Sequence, residues 1–386
     1  MSLEEAAEAA LLLADAEVAQ ASFILEVLVV ALAEVLQEVA AASAVLAAEV
    51  LAAEAQAQAG SIKVFIGKYK IKMQKLLLLL LITASIQTAI AQQAYNVAFY
   101  NVENLFDTID GPNDDAEFLP GAASQWNAEK YNAKLTHIRQ VMESLDFPII
   151  MGVCEIENKS VLTDLVGQEK RYGIVHYESS DARGIDVGML YRKDLLKLKE
   201  SGRIRFVIPG DSAPSTRDIV WAKYQYKKEN LYVMVNHWPS RRGGAEESAP
   251  RRMAAAQHAA QFIDSIQKQD PAAKIIFMGD LNDHPQDAGP QLIAGKLNPQ
   301  ITKQSNTFGG SYNYKNEWDV LDHIMVSENT FKGNLKVEAN SGTIHSFPYL
   351  LTEYKGQIVP NRTYAGPKYL GGYSDHLPVS IRVVLQ

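Results

Sequence analysis

Six clusters of carboxylate, amide and imidazole side chains occur along residues 101–376, each beside an apolar run. They read Asn101-Val102-Glu103-Asn104, Glu155-Ile156-Glu157-Asn158, Asn236-His237, Gly279-Asp280-Leu281-Asn282-Asp283, Leu321-Asp322-His323 and Ser374-Asp375-His376. Carboxylate and amide oxygens are the hard ligands that Mg²⁺ or Mn²⁺ prefers, whereas zinc sites favour thiolates or closely spaced histidines. A divalent ion held by oxygen suits phosphoryl chemistry, because it neutralises charge and orients the leaving oxygen. The histidines and aspartates would then transfer protons and contact phosphate.

The apolar runs beside these clusters predict β-strands, at residues 95–102, 148–155, 185–191, 219–226, 231–237, 274–278, 320–326 and 377–385. Several are nearly continuous, as is typical of strands covered on both faces. Helical patterns occupy residues 127–144 and 249–267, with Pro250 near the first turn of the second. Alternating strands and helices predict a layered α/β domain, in which sites form where strand ends and loops converge.

The chain begins with two segments of unusual composition. Residues 1–60 contain 21 alanines, ten acidic residues and no basic one, which favours helix. Either this helical extension oligomerises as a hairpin or coiled coil, or it is a fusion or a translation product from upstream of the true start. The second interpretation is favoured, because residues 61–91 have the pattern of a secretory signal placed late in the chain.

Residues 61–91 contain five lysines and no acidic residue, followed by an apolar core that begins at residues 76–82. Ala89-Ile90-Ala91 matches a small-x-small cleavage site. The pattern predicts cleavage after Ala91 and a secreted or periplasmic catalytic part. If translation begins at Met1, the segment would instead act as a short anchor, with the lysines inside and the remainder exported.

Residues 92–386 form the predicted catalytic domain, with 32 basic against 35 acidic residues. This near balance provides no general field for nucleic acid, so such a partner would need a local basic patch. The single cysteine, Cys154, excludes an internal disulfide and a cysteine-rich zinc site. No stable protein partner is implied.

Taken together, the clusters resemble the endonuclease/exonuclease/phosphatase superfamily, whose members include pancreatic-type deoxyribonucleases, apurinic-site endonucleases, inositol polyphosphate 5-phosphatases and neutral sphingomyelinases. The motifs stand in the order of that family and span Asn101 to His376. The opening Asn-Val-Glu-Asn-Leu-Phe at 101–106 is similar to secreted bacterial members. The resemblance implies an α/β protein with a four-layer α/β/β/α sandwich of two mixed sheets, preceded by the helical N-terminal extension of residues 1–60.

The resemblance also implies metal ligands. Glu155 is expected to be the principal ligand, with Asn101 contributing directly or through water. Glu103 is expected to hold a metal-bound water, the alternative being a solvated strand end. Asp375 is expected to join the metal shell or to position a phosphate oxygen. Glu157 is expected to be structural.

The catalytic roles implied by the resemblance fall on five residues. His376 is expected to act as the general base or to orient the attacking water, with Asp322 holding its tautomer. Asp280 and Asn282 are expected to grip the water and the phosphate, although Asp-x-Asn-Asp is also favourable in turns. His237 is expected to contact the scissile phosphate. Period-two alternation separates Asp322 from His323, which is expected to be structural.

Substrate contacts are expected from a short loop and two flanking positions. Arg241 and Arg242 follow His237 on a glycine-containing loop and would clamp phosphate, the alternative being a solvated loop. Asn236 lies beside His237, and Arg183 begins a strand where relatives place phosphate contacts. The arginines at 251 and 252 could extend this basic patch.

The sequence therefore predicts a secreted Mg²⁺-dependent phosphodiesterase, with Mn²⁺ as a substitute ion and a nuclease as the favoured activity. One alternative within the superfamily is a phosphomonoesterase or phospholipase acting on inositol phosphate, sugar phosphate or sphingomyelin. The other is a non-catalytic binding module that residues 1–60 assemble. DNA, RNA and small phosphate esters all remain open as substrates at this point.

Overall fold

The computed structural model describes residues 93–208 and 216–386. The expectations for the helical extension at 1–60 and the signal-like segment at 61–91 lie outside the described residues. In chain order the strands are β1 (Gln93–Leu105), β2 (Ile150–Ile156), β3 (Tyr172–His176), β4 (Asp186–Arg192), β5 (Lys197–Ile204), β6 (Ile219–Tyr226), β7 (Glu229–His237), β8 (Lys274–Asp280), β9 (Asn298–Pro299), β10 (Tyr312–Tyr314), β11 (Glu317–Asp319), β12 (Asp322–Val326), β13 (Leu335–Val337), β14 (Thr343–Ile344), β15 (Leu351–Tyr354), β16 (Gln357–Pro360), β17 (Tyr364–Ala365), β18 (Lys368–Tyr369) and β19 (Val379–Leu385).

Four α-helices connect these strands: α1 (Ala128–Ser144), α2 (Lys159–Val166), α3 (Ala245–Gln269) and α4 (Ala288–Ala294). Short 3-10 turns lie at Ala116–Phe118, Lys303–Ser305, Glu328–Phe331 and Pro348–Leu350. Asn127 and Asn158 cap α1 and α2, since each side chain accepts a hydrogen bond from a backbone N–H in the first turn. None of the helices in the described ranges is both long and apolar enough to cross a bilayer.

The eight strands and two helices expected from the sequence are all present, with ends displaced by a few residues. Helix α3 begins four residues earlier than expected, at Ala245, so that Pro250 lies in its second turn. The sequence pattern missed α2, α4 and eleven strands, namely β3, β5, β9–β11 and β13–β18. These elements are short or partly exposed, and their apolar periodicity is correspondingly weak.

Two mixed sheets form the centre of the domain. One has the order β13-β19-β1-β2-β4-β3, with β14 also paired to β19, and the other has the order β5-β6-β7-β8-β12-β9. Each sheet contains one parallel pair, β1 with β2 and β7 with β8, among antiparallel neighbours. The sheets pack face to face at Gly152, where a Cβ atom would lie 2.8 Å from Met278 and 2.9 Å from Val235. A side chain there would force the sheets apart.

Helices cover the outer face of each sheet. The side chains of Leu135, Ile138 and Leu162 from α1 and α2 join the core that continues between the two sheets. Alanines of α3 and Ile293 of α4 pack with Phe277 on the other side of the second sheet. The expected four-layer α/β/β/α sandwich is therefore confirmed for the described residues.

Candidate active site

The polar clusters meet at one edge of the sandwich, in a cavity of about 540 Å³. Because β1 with β2 and β7 with β8 are parallel pairs, the carboxyl ends of all four strands reach the same edge. Antiparallel β12 begins there, at Asp322 opposite Asp280. The cavity floor, as we use the term below, consists of Glu155, His237, Asp280 and His376. The sandwich thus brings residues separated by more than 200 positions into one site.

Glu155 reaches the cavity because β2 is irregular at this residue. Its φ is 61°, and the pairing register of β2 with β4 shifts between Cys154 and Ile156. Such a bulge turns a side chain away from the direction that strict alternation would give it. The Glu155 carboxylate accepts hydrogen bonds from the backbone N–H of Asn104 (3.1 Å) and the amide of Asn101 (3.2 Å). Positive φ in a non-glycine residue is uncommon and is often found at functional sites.

His376 is held by a chain of hydrogen bonds through Asp322. The Nδ1 atom of His376 lies 2.7 Å from Oδ2 of Asp322, and the hydroxyl of Ser311 donates to the same oxygen at 2.5 Å. All three residues are buried. Burial lowers the pKa of the His376 imidazole, but the carboxylates of Asp322 and Asp280 outweigh burial and raise the pKa well above its usual value. The two carboxylates therefore favour the protonated form of His376.

Asp280 lies between the two histidines of the floor. Its Oδ2 atom is 3.7 Å from Nε2 of His376 and 3.7 Å from Nε2 of His237. Its other oxygen accepts the backbone N–H of Asn282, which has a φ of 51°. Burial raises the pKa of Asp280 to about 7, with Asp322 acting in the same direction and His376 opposing. A carboxylate with this pKa can take up a proton at neutral pH.

The close approach of β7 and β8 at their ends requires Gly279. A Cβ atom at this position would lie 2.3 Å from the carbonyl oxygen of Asn236. Since that neighbour is backbone, it cannot rotate away, and any larger residue would separate the strands that carry His237 and Asp280.

His237 is buried and its Nδ1 atom has no hydrogen-bond partner among the described residues. Its Nε2 atom is 3.9 Å from Glu155 and 3.7 Å from Asp280. Burial lowers the pKa of His237 well below its usual value, and the nearby positive charges of Arg217, His376 and Arg183 lower it further. His237 is therefore neutral, in contrast to His376.

Two asparagines that were expected to contact metal or substrate are hydrogen-bonded within the protein. The Asn101 oxygen accepts the backbone N–H of Glu103 at 3.0 Å, and its NH₂ group donates to Glu155 and Asp280. Asn236 is fully buried, with its amide bonded to the Met278 carbonyl and the Trp238 indole. Because both ends of that amide are engaged, Asn236 cannot contact substrate and instead ties β7 to β8.

Glu103 also lies apart from the floor. Its carboxylate accepts the backbone N–H of Thr363 at 2.6 Å and an Arg362 N–H at 3.3 Å. Arg362 also donates to Asp375 at 2.9 Å, so one guanidinium joins the two carboxylates. Asp375 lines the cavity and Glu103 does not. The structure thus brings Asp375 to the site and directs Glu103 toward the segment after β16.

Three exposed or half-exposed arginines, which we call the arginine rim, line the cavity above the floor: Arg183, Arg241 and Arg242. Arg241 lies 2.8 Å from His284. Arg183 and Arg242 have no hydrogen-bond or ion-pair partner for their side chains among the described residues, although Arg183 lies close enough to lower the pKa of His237. The expectation that Arg252 extends the patch is wrong, because this residue is buried and paired with Asp283 at 2.5 Å.

The carboxylates of the cavity fit a hard divalent ion. Glu155 and Asp375 both line it, and the side chain of Glu155 is 19% exposed, so an ion could reach it. Ligand atoms of Asp280, Asp322 and His376 lie within 4.8 Å of one another, but the last two are already bonded to each other. The donor set is oxygen-rich and contains no thiolate, which suits Mg²⁺ or Mn²⁺.

Several site residues were not found from the sequence. Arg217 is buried beside His237 and donates to Asp181 and to the Trp238 carbonyl. The other three are Ser311, Tyr312 and Arg362. They are single residues in loops or short strands, and no motif in the surrounding sequence identifies them as site residues. His323 donates its Nε2–H to the backbone carbonyl oxygen of Asp283 at 2.9 Å and so has the expected structural position.

Comparisons with known proteins agree with this architecture. A sequence model described as the Endonuclease/Exonuclease/phosphatase family matches residues 96–384. An endonuclease/exonuclease/phosphatase family protein from Bacteroides thetaiotaomicron is 16% identical with a TM-score of 0.50, over 76% of this chain and 99% of that one. Human Nocturnin (15%, TM-score 0.49, over 76% and 95%) and a Bacteroides thetaiotaomicron mannosyl-6-phosphatase (16%, 0.49, over 75% and 100%) are similar too. No curated protein matches the chain.

Proposed function

Because the chain belongs to the Endonuclease/Exonuclease/phosphatase family, we propose that it is a Mg²⁺-dependent phosphodiesterase that hydrolyses nucleic acid. The members of this family are metal-dependent phosphoester hydrolases, and the chain is therefore an enzyme of that class. The observation that carries the proposal is the composition of one cavity. It is lined by His376, which is hydrogen-bonded to Asp322, by several carboxylates and by the three arginines of the rim.

Glu155 and Asp375 would hold the divalent ion. When bound, the ion supplies positive charge to the phosphate and to the departing oxygen. The protein prepares Glu155 for this role by bonding it to Asn101 and to the Asn104 backbone, which fixes the direction of the carboxylate. Asn101 is thereby a positioning residue in the proposal, and no longer a ligand.

His237 and the arginines would bind the phosphate. A neutral His237 can donate one N–H to a phosphate oxygen without strong attraction to the carboxylates beside it. Arg183 supplies positive charge nearby, and Arg242 does so from the loop after β7. Such groups act most strongly when they are already oriented before the negative charge develops.

Asp280 and His376 would act on the attacking water together, with Asp280 in the role of the base that the sequence analysis offered to His376 as one alternative. Because Asp322 engages Nδ1 and the neighbouring carboxylates favour the protonated form, His376 is proposed to donate a hydrogen bond from Nε2 that orients the water or the phosphate. Asp280 is proposed to accept the proton of the attacking water, with Asn282 holding that water. The water oxygen forms the new bond to phosphorus as the bond to the leaving ester oxygen breaks.

Nucleic acid is favoured as substrate by the arginine rim. Its side chains supply the local basic patch that a chain of nearly balanced charge needs for binding phosphate backbones. Export is part of the same proposal and is supported by the lysine cluster and the Ala89-Ile90-Ala91 site.

The test uses the purified full chain and a matched His376→Ala variant. Plasmid DNA, single-stranded DNA, RNA, sphingomyelin, inositol phosphates and sugar phosphates are each incubated with Mg²⁺, with Mn²⁺ and with a chelator. We expect metal-dependent cleavage of nucleic acid by the wild type and a loss of about 10²–10³-fold in the variant. Release of free phosphate from monoesters alone would assign a phosphatase instead, and hydrolysis of sphingomyelin alone a phospholipase.

A further inference from the structure

A small hairpin stands beside the active-site cavity and belongs to neither main sheet. Strands β10 and β11 pair with each other alone, in a register that places Tyr312 opposite Asp319 and Tyr314 opposite Glu317. The two turn residues, Lys315 and Asn316, have φ values of 51° and 70°. Two consecutive positive φ values are typical of the tight two-residue turns that match the twist of a hairpin. The hairpin is therefore short and sharply defined.

Both faces of the hairpin are aromatic, and each face has one anchoring contact, at Trp318 on one face and at Tyr312 on the other. Trp318 stacks on Phe308, with ring centroids 4.9 Å apart. At its base Tyr312 forms a backbone bridge with His376, and the two rings are 4.7 Å apart. The hairpin is thus attached directly to the catalytic histidine.

The face of the hairpin opposite Trp318 presents Tyr314 to the cavity. Period-two alternation places Tyr312 and Tyr314 on the same face, and both line the cavity together with the arginine rim. Tyr314 is 57% exposed, and it is the only large exposed apolar residue of the described chain that lines this cavity. An exposed ring on a rigid support costs little entropy on binding and offers a flat surface for stacking.

We propose that Tyr314 stacks on a nucleobase next to the scissile phosphate, and that the enzyme therefore cleaves unpaired strands in preference to duplex. The inference rests on the proposed function and adds to it the form of the substrate. In a duplex both faces of a base are covered by its neighbours, whereas an unpaired base can turn onto an aromatic side chain. The arginine rim would hold the phosphates on either side of that base.

The chain offers a closely matched control in Tyr354. This residue is 58% exposed and precedes a two-residue turn in the hairpin of β15 and β16. Lys355 lies 5.2 Å from the Tyr354 ring, as Lys315 does from the Tyr314 ring. Tyr354 does not line the cavity. The two tyrosines therefore differ chiefly in their distance from the chemistry.

The experiment compares wild type, Tyr314→Ala, Tyr314→Phe and Tyr354→Ala with Mg²⁺ present. The substrates are a short single strand, its duplex, a dinucleotide of the same bases, and the single strand with abasic nucleotides. We expect the wild type to prefer the single strand over the duplex. In Tyr314→Ala, kcat/KM on the base-bearing strand relative to the abasic strand should fall at least about fivefold, mainly through KM, because a stacked base contributes about 1–3 kcal/mol. Tyr314→Phe and Tyr354→Ala should keep the wild-type ratio, and the dinucleotide shows whether one base suffices.

The outcomes separate this inference from the proposed function. If the wild type cleaves no nucleic acid, the proposed function fails and the stacking role fails with it. If the wild type cleaves nucleic acid but Tyr314→Ala behaves like Tyr354→Ala, only the stacking role is overturned. Equal cleavage of duplex and single strand by the wild type would also overturn it.

Discussion

The cavity floor and the arginine rim are built in opposite ways. Three residues of the floor come from strand ends and His376 lies three residues before β19, and each has a polar atom within 4 Å of another floor residue. The rim comes from loops, and its side chains are exposed or half-exposed, with Arg183 and Arg242 unbonded among the described residues. Contacts within the protein therefore hold the floor in place, whereas the proposed function gives Arg183 and Arg242 their partners in the substrate.

This difference separates the chemistry from the choice of substrate. Fixed, buried dipoles and charges stabilise a transition state efficiently, because they need no reorganisation during the reaction. Exposed arginines attract phosphate by charge and contribute mainly to binding. We therefore expect changes in the floor to lower kcat and changes in the rim to raise KM, and three variants test this contrast in order of expected effect.

The largest effect among these is expected for His376→Ala. Removing the imidazolium leaves Asp322 and Asp280 buried without their shared cation, and kcat should fall about 10²–10³-fold with little change in KM. Steady-state kinetics on single-stranded DNA provide the measurement, and a thermal melt checks the fold. Asp322→Asn should follow the same pattern. A rise in KM at constant kcat would show that the floor binds substrate and does not act in the chemical step.

A smaller effect is expected for Ser311→Ala, which leaves the floor residues themselves unchanged. Ser311 donates to the oxygen of Asp322 that also accepts from His376, so its loss removes one support of the histidine. A hydrogen bond to a charged group contributes about 1.5–3 kcal/mol, and we expect kcat to fall about tenfold and the free energy of unfolding to fall measurably. Ser311→Thr keeps the hydroxyl and should restore most of the activity. Equal losses in both variants would mean that packing, and not the hydrogen bond, is the important term.

The smallest effect is expected for Arg242→Ala at the rim. We expect KM for nucleic acid to rise about fivefold with kcat unchanged, since an exposed charge pair contributes on the order of 1 kcal/mol. The slope of log affinity against log salt should decrease by about one, as for the loss of one phosphate contact. Arg382→Ala is the control, because Arg382 is 55% exposed and pairs with Glu338 instead of lining the cavity. An unchanged salt slope in Arg242→Ala would remove this residue from the phosphate contacts.

Much of the fold and of the floor was predictable from the sequence. The apolar runs identified eight of the strands, and the polar residues at their ends included all four members of the floor. For Asn101, Asn236 and Arg252, the structure shows hydrogen bonds within the protein at side chains that were predicted to contact metal or substrate. Each carries suitable chemical groups, but its hydrogen-bonding atoms are engaged by other parts of the protein. Nothing in the local sequence shows which neighbours a side chain will meet.

The sequence by itself determined the types of reacting groups, the order of the strands that carry them and the family of the chain. These properties follow from local periodicity and from motifs whose residues are adjacent in sequence. The tertiary structure decided the direction of Glu155, the support of Asp322 by Ser311 and the position of Tyr314 beside the cavity. A β-bulge, a buried hydrogen bond and a separate hairpin each depend on contacts with distant residues, because their energies arise only when the two sheets have packed.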